Sequence, residues 1–205
     1  MEWRRHADAQ MGRLLHSAGL LRKMELSIVK LAGKDSEMNA REIIDRLKLE
    51  PLPIEGGYFR ETYRSTERLP AGVLPPRYGG ERCFCTAIFY LLTPETVSAM
   101  HRVRSDEVFH FYLGDPVTML QLEPGGGAQT ILLGQDVQAG QQLQVVVPAG
   151  VWQGAFLNEG GSFALMGCTV APGFEFSDFQ PAARADLLRE FPGEAALIER
   201  LTREE

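Results

Sequence analysis

Residues 98–116, SAMHRVRSDEVFHFYLGDP, hold two of the four histidines of this 205-residue chain, His101 and His110, with an acidic pair, Asp106 and Glu107, between them. Imidazole beside carboxylate supports two kinds of chemistry. The groups can ligate a metal, or they can pass a proton, because unperturbed histidine titrates at about 6.5 and a neighbouring carboxylate can orient it. The segment alternates like strand and is broken by a polar turn. With Arg104, Ser105 and Asp106 as a three-residue hairpin loop, Val103 lies opposite Glu107 and His101 opposite Phe109. His101 and Glu107 are then diagonal neighbours on one face, about 7–8 Å apart at the backbone and within reach of one ligand. His110 has the other parity and is expected to be structural. A carboxylate inside an apolar barrel must be paired, protonated or ligated, so His101 with Glu107 is the candidate site.

Other residues could complete it. In YFRETYR, residues 58–64, Tyr58, Arg60 and Tyr63 offer an acid and an anion clamp. The plainer alternative is a half-buried edge strand with a solvated charged face. Phe89, Met100, Phe109, Phe111, Trp152 and Phe156 could line a pocket with His101, Glu107 and Gln153 as its polar points, or could simply fill a barrel. The three cysteines, Cys83, Cys85 and Cys168, are an odd number without framework spacing. They read as free thiols in a reducing compartment, with CFC part of an apolar strand rather than a redox or metal motif.

The elements that must position these groups are mostly strands. From Tyr58 onward, GGYFRETYRS, FCTAIFYLLT, VSAMHRV, EVFHFYLG, VTMLQL, QTILLG, LQVVVPAG and the two halves of GAFLNEGGSFALMGCTVAPGFEF make about nine short strands, with turn signals every eight to twelve residues. No long helical pattern separates them. Parallel βαβ units are therefore excluded, and the fold class is all-β, an antiparallel sandwich or barrel. Short helices are expected at both ends. Residues 1–37 carry a ragged apolar stripe (Leu14, Leu15, Leu21, Ile28, Leu31) stopped at Gly33, and initiation at Met38 would make this segment a dispensable extension. Asn39 caps a second helix, with Glu42 as its capping-box partner and Ile43, Ile44 and Leu47 as its buried face. Residues 181–205 read as helix in two pieces broken at Pro192-Gly193. The domain plan is thus an extension over 1–37, a β domain over 38–180 and a helical segment over 181–205 packed on the barrel.

Net charge is −6, with 44% hydrophobic and 23% charged residues, which points away from nucleic acid and anionic membrane as partners. No apolar run approaches the roughly 20 residues of a membrane span. The amino end has neither the apolar core nor the cleavage site of a secretory signal. A cytoplasmic location is expected.

At the His101 segment the chain resembles the cupin superfamily, whose first motif reads G-x5-H-x-H-x3,4-E-x6-G. Here His101-x-Val103-x3-Glu107-x6-Gly114 matches its first His, its Glu and its closing Gly. Of the second motif, G-x5-P-x-G-x2-H-x3-N, the segment Pro148-Ala-Gly150-Val-Trp-Gln153 keeps Pro and Gly. EGGYFRETYRS, HRVRSDEVFHFYLGDP, VPAGVWQGAF and GCTVAPGFEFSDF together resemble one branch of that superfamily, often described as predicted sugar epimerases, over residues 38–180. The resemblance implies a double-stranded β-helix, or jelly-roll barrel, and a homodimer. It also exposes departures. Metal-binding cupins use both His of motif one, its Glu and the His of motif two, whereas this chain has Val103 and Gln153 at two of those four positions. Glu95 replaces the opening Gly, and Leu157 stands where motif two ends in Asn. Any metal would have only His101, Glu107 and Gln153, and amide oxygen is a poor partner for zinc or iron. No cofactor is expected.

Three functions follow. The first is a metal-independent isomerase or epimerase acting on a sugar or related carbonyl compound, with a nucleotide sugar as the candidate ligand, His101 as base, Glu107 orienting it, Tyr63 as acid, and Tyr58, Arg60, Gln153, Phe109 and Trp152 around the ligand. The second is a barrel that binds a small molecule without turnover. The third is an oxygenase using iron, nickel or manganese at a degenerate site.

Overall fold

The computed structural model describes residues 38–203, and the helical segment expected over 1–37 lies outside them. The chain opens with helix α1 (Ala40–Leu47), whose Asn39 cap accepts from the Glu42 N–H at 3.0 Å. Its buried Ile43 joins Leu49, Leu91 and Leu165 in one apolar cluster, against which Ile44 and Leu47 also pack. Thirteen strands follow in sequence. They are β1 (Glu50–Pro51), β2 (Tyr58–Arg64), β3 (Arg68–Leu69), β4 (Arg82–Cys83), β5 (Thr86–Leu92), β6 (Val97–Arg102), β7 (Asp106–Gly114), β8 (Val117–Glu123), β9 (Gly127–Leu133), β10 (Gln144–Val147), β11 (Trp152–Leu157), β12 (Ala164–Ala171) and β13 (Gln180–Pro181).

Two sheets hold eleven of these strands. One has the order β1-β2-β5-β12-β7-β10, the other β13-β6-β11-β8-β9, and every pairing between these strands is antiparallel. Strands β3 and β4 form a small separate ribbon. The inner faces carry one core, including Tyr90, Leu92, Phe109, Phe111, Met119, Leu133, Val145, Leu157 and Met166, all buried. Each fully buried large apolar side chain contributes about 1.5–3 kcal/mol, so this layer is what holds the sheets face to face. This is the cupin jelly roll. Helices α2 (Arg184–Glu190) and α3 (Ala195–Leu201) cover the outer face of the five-stranded sheet, where Leu187, Phe191, Ile198 and Leu201 pack on Met100, Leu120, Leu122 and Phe156. No described helix is long and apolar enough to cross a membrane.

The expected hairpin at His101 does not form. Strand β6 pairs with β11 and β13, and β7 pairs with β12 and β10, so consecutive strands lie in opposite sheets. The connecting residues arch across the sandwich and bond elsewhere. Val103 O accepts from Gly150 N at 2.9 Å. Ser105 Oγ donates to Pro172 O at 2.8 Å and, its one proton used there, accepts from Tyr78 Oη at 3.1 Å. A polar three-residue connection is compatible with a tight hairpin or with an arch, and here each strand has two better-matched partners than its neighbour in sequence.

Candidate functional site

The arch places His101 and Glu107 on facing sheets, both pointing inward. Gln153 on β11 is directly across from His101 on β6, and its amide sits between the two groups. Gln153 Nε2 donates to Glu107 Oε2, and the same nitrogen lies 3.3 Å from His101 Nε2. On the other side of the ring, His101 Nδ1 lies 2.7 Å from Ala99 O. A carbonyl only accepts, so Nδ1 carries a proton, and the lone pair of the neutral ring is the one on Nε2. The imidazole stacks on Phe179, with centroids 4.9 Å apart and planes 22° apart. His101, Glu107 and Gln153 are all buried.

Glu107 is held by two donors, since Cys168 Sγ on β12 donates to its Oε1 at 2.5 Å. Burial raises the pKa of this carboxyl. His101 and the two donors pull the other way, and Glu55 adds to the rise. The Cys168 thiol is pushed well above its ordinary value by burial and by Glu107, so it stays protonated and serves as donor. Glu55 reaches in from the loop after β1. Ala99 N donates to its main-chain oxygen and Ser98 Oγ to its Oε1, both at 2.9 Å, and its Oε2 comes within 3.9 Å of His101 Nε2. Gln153 Oε1 has no partner among the described residues.

Glu55, His101, Glu107 and Cys168 floor a cavity of about 100 Å³. Phe59, Ile88, Val103, Val170 and Phe174 wall it, and the exposed Ile54 and Phe176 stand at its mouth. Arg64 closes one side, with Nη2 at 2.8 Å from Glu61 Oε2 and Nη1 at 3.0 Å from Glu175 Oε1.

Several expected site residues lie elsewhere. The register Phe59↔Tyr90, Arg60↔Phe89 turns Phe59 and Glu61 inward and puts Tyr58, Arg60 and Tyr63 on the outer face of the six-stranded sheet. Tyr58 packs with the α1 cluster, Arg60 sits 5.6 Å over the Phe89 ring, and Tyr63 is exposed. Trp152 also faces outward, toward the helix-covered cluster with Met100 and Phe156, under the Arg102 guanidinium at 4.4 Å. Phe109 and Phe111 point inward but fill the core beside the cavity. His110 is outside the site, bonded to Thr169 Oγ1 (3.2 Å) and Gln144 Nε2 (3.1 Å).

Glu55, Phe59, Glu61, Arg64, Cys168 and Phe179 were missed from sequence. Phe59 and Glu61 have the parity opposite to Tyr58, and they part from Tyr63 only because the register shifts between Glu61 and Tyr63. Arg64 faces inward only because the register shifts between Glu61 and Tyr63. Glu55 and Phe179 stand in loops, where no periodicity reports direction.

The donors do not suit a transition metal. Gln153 presents N–H, not oxygen, to both His101 and Glu107. No three His, Cys, Asp or Glu side chains among the described residues are grouped to hold an ion.

Comparison with known proteins agrees with the fold and the motifs. A family model described as Cupin superfamily (DUF985) matches residues 41–182. The uncharacterized protein YML079W of Saccharomyces cerevisiae is 31% identical over 149 residues, covering 68% of this chain and 73% of that one. A protein from Shewanella oneidensis (TM-score 0.72, 36% identity) is matched over 82% of this chain and 99% of its own. A hypothetical protein from Leishmania major (TM-score 0.73, 31% identity) is matched over 82% of this chain and 100% of its own. The chain belongs to the cupin superfamily, in the family described as DUF985.

Proposed function

We propose that this cupin is a metal-independent isomerase or epimerase acting on a small carbonyl compound of sugar size, with His101 as the base. The observation that carries the reading is the fixed tautomer: Ala99 O holds the proton on Nδ1, so the lone pair of the neutral ring lies on Nε2, beside a single Gln153 N–H at 3.3 Å, on a side chain that lines the cavity. Proton abstraction beside a carbonyl needs such a base within reach of the carbon acid. Glu107 is the partner carboxyl: it accepts from Cys168 Sγ and from the Gln153 amide that adjoins the base, and burial raises its pKa. The cavity has room for roughly seven to ten waters, which suits a sugar-sized body and not a whole nucleotide. The test is solvent deuterium uptake by keto-sugars and related carbonyl compounds incubated with the protein. Incorporation at the carbon beside the carbonyl, lost in His101→Ala, supports the reading, whereas tight binding without exchange overturns it.

A second reading, ligand binding without turnover, is favoured by the outward placement of Tyr58, Arg60 and Tyr63, which keeps a tyrosine acid and the Arg60 guanidinium out of the cavity. A homodimer is also proposed. Tyr63, Tyr112 and Val146 are exposed on the outer face of the six-stranded sheet, a surface a second copy would cover.

A further inference from the structure

A second cleft, of about 560 Å³, adjoins the cavity. Arg77, Arg102 and Arg104 line it, and Val103 and Phe179 line both spaces. Asp178 is the one carboxylate among its lining residues, and that charge is already matched. Arg82 holds it with Nε at 2.7 Å from Oδ2 and Nη2 at 2.5 Å from Oδ1, both partners buried, while Arg104 Nη1 stays 3.7 Å away. The Arg82–Asp178 pair cancels, so three guanidinium charges face one cleft in a chain whose net charge is −6.

Two of the three are held in place by contacts that leave their charge uncancelled. Arg102 lies 4.4 Å over the Trp152 ring and donates Nε to Gln180 Oε1 at 2.9 Å. Its two terminal nitrogens have no bonded partner among the described residues. Arg77 lies 4.8 Å over the Tyr78 ring and donates Nε to Arg104 O at 2.9 Å. Like charges gathered without a counter-charge repel one another, and an anion in the cleft would relieve that repulsion. A planar guanidinium pairs bidentately with phosphate, and prior fixing of the side chain reduces the entropy lost on binding.

We propose that this cleft is a binding site for the phosphate group of a small phosphorylated molecule, with Arg102 and Arg104 as its principal ligands and Arg77 as the third. The site stands independently of the proton chemistry in the cavity, and its test needs no cavity ligand. The probes are inorganic phosphate and pyrophosphate, titrated by calorimetry at two salt concentrations, with citrate as a carboxylate comparison. Saturable binding of pyrophosphate is expected, tighter than that of citrate and weaker at high salt. Arg102→Gln and Arg104→Gln should each weaken it about tenfold or more, the loss expected for one charged hydrogen-bonding group. Arg104 is exposed, so its variant reports on the site without endangering the fold. Arg189→Gln, on the distant α2 surface and already paired with Asp186, should bind as the parent does. An equal loss in Arg189→Gln, unchanged binding in the Arg102→Gln/Arg104→Gln double variant, citrate binding as tightly as pyrophosphate, or no saturable binding of either phosphate probe would each overturn the proposal.

Discussion

His101 and Glu107 reach one Gln153 amide from opposite sheets, although only five residues separate them in sequence. The polar floor is therefore a property of the closed sandwich and not of a local hairpin.

His101→Ala removes the proposed base, the Nδ1 bond to Ala99 and the stack on Phe179. Ligand affinity or exchange should fall by about tenfold or more, while stability falls by only about 1–3 kcal/mol. Urea unfolding alongside ligand titration measures both, and normal binding in a folded variant would place the site elsewhere.

Glu107 gives stability a pH dependence of defined sign. Its folded pKa is raised, mainly by burial, above the ordinary 4.5. Between those two values the native chain binds more protons than the unfolded one, so stability contributed by the neutral acid is lost as pH rises through the folded value. Glu107→Gln should remove that slope. Unfolding free energies measured from pH 4 upward check it, and a parallel slope in the variant would refute the assignment.

Tyr63→Phe and Arg60→Ala act on the outer face. Each should leave cavity binding and exchange unchanged and shift stability by no more than about 0.5 kcal/mol. Loss of activity in Tyr63→Phe under conditions where the fold is intact would restore the tyrosine to the mechanism.

The Arg82–Asp178 pair is buried and doubly bonded. Asp178→Ala strands a guanidinium, and Arg82→Met strands a carboxylate. Either should cost about 3–5 kcal/mol in chemical denaturation, whereas replacing both with apolar residues should recover much of the loss.

Gly114→Ala should cost more than about 3 kcal/mol, because its φ is +104° and an added Cβ would collide with the Phe163 carbonyl oxygen. A thermal melt close to that of the parent would show that the turn tolerates a side chain.

The same glycine shows what sequence can report. Gly114 and Gly150 both have positive φ, so their motif positions reflect a backbone requirement that survives with any neighbours, and the barrel was legible from them together with the strand spacing. Asn39 was legible as a cap because its bond to Glu42 is local. Facing was harder to read. The period-2 pattern of YFRETYR identifies a strand but not which of its two sets of side chains turns inward, both sets contain an aromatic residue, and the register shift after Glu61 then moves Tyr63 and Arg64 to the faces opposite those that strict alternation would give. The hairpin failed for a related reason: loop composition does not reveal whether two strands pair with each other or with strands far along the chain. Cys168 read as a free thiol, which it is, yet its bond to Glu107 spans 61 residues of sequence.

The unpartnered carbonyl oxygen of Gln153 has one more consequence. Half a turn about the last side-chain bond would exchange it with the nitrogen and present it to His101 Nε2 and Glu107 Oε2, where both neighbours would then have to be donors. As it stands, one amide nitrogen serves two acceptors while the oxygen behind it goes without a donor, so any group that supplied a donor there would fix the amide in this direction.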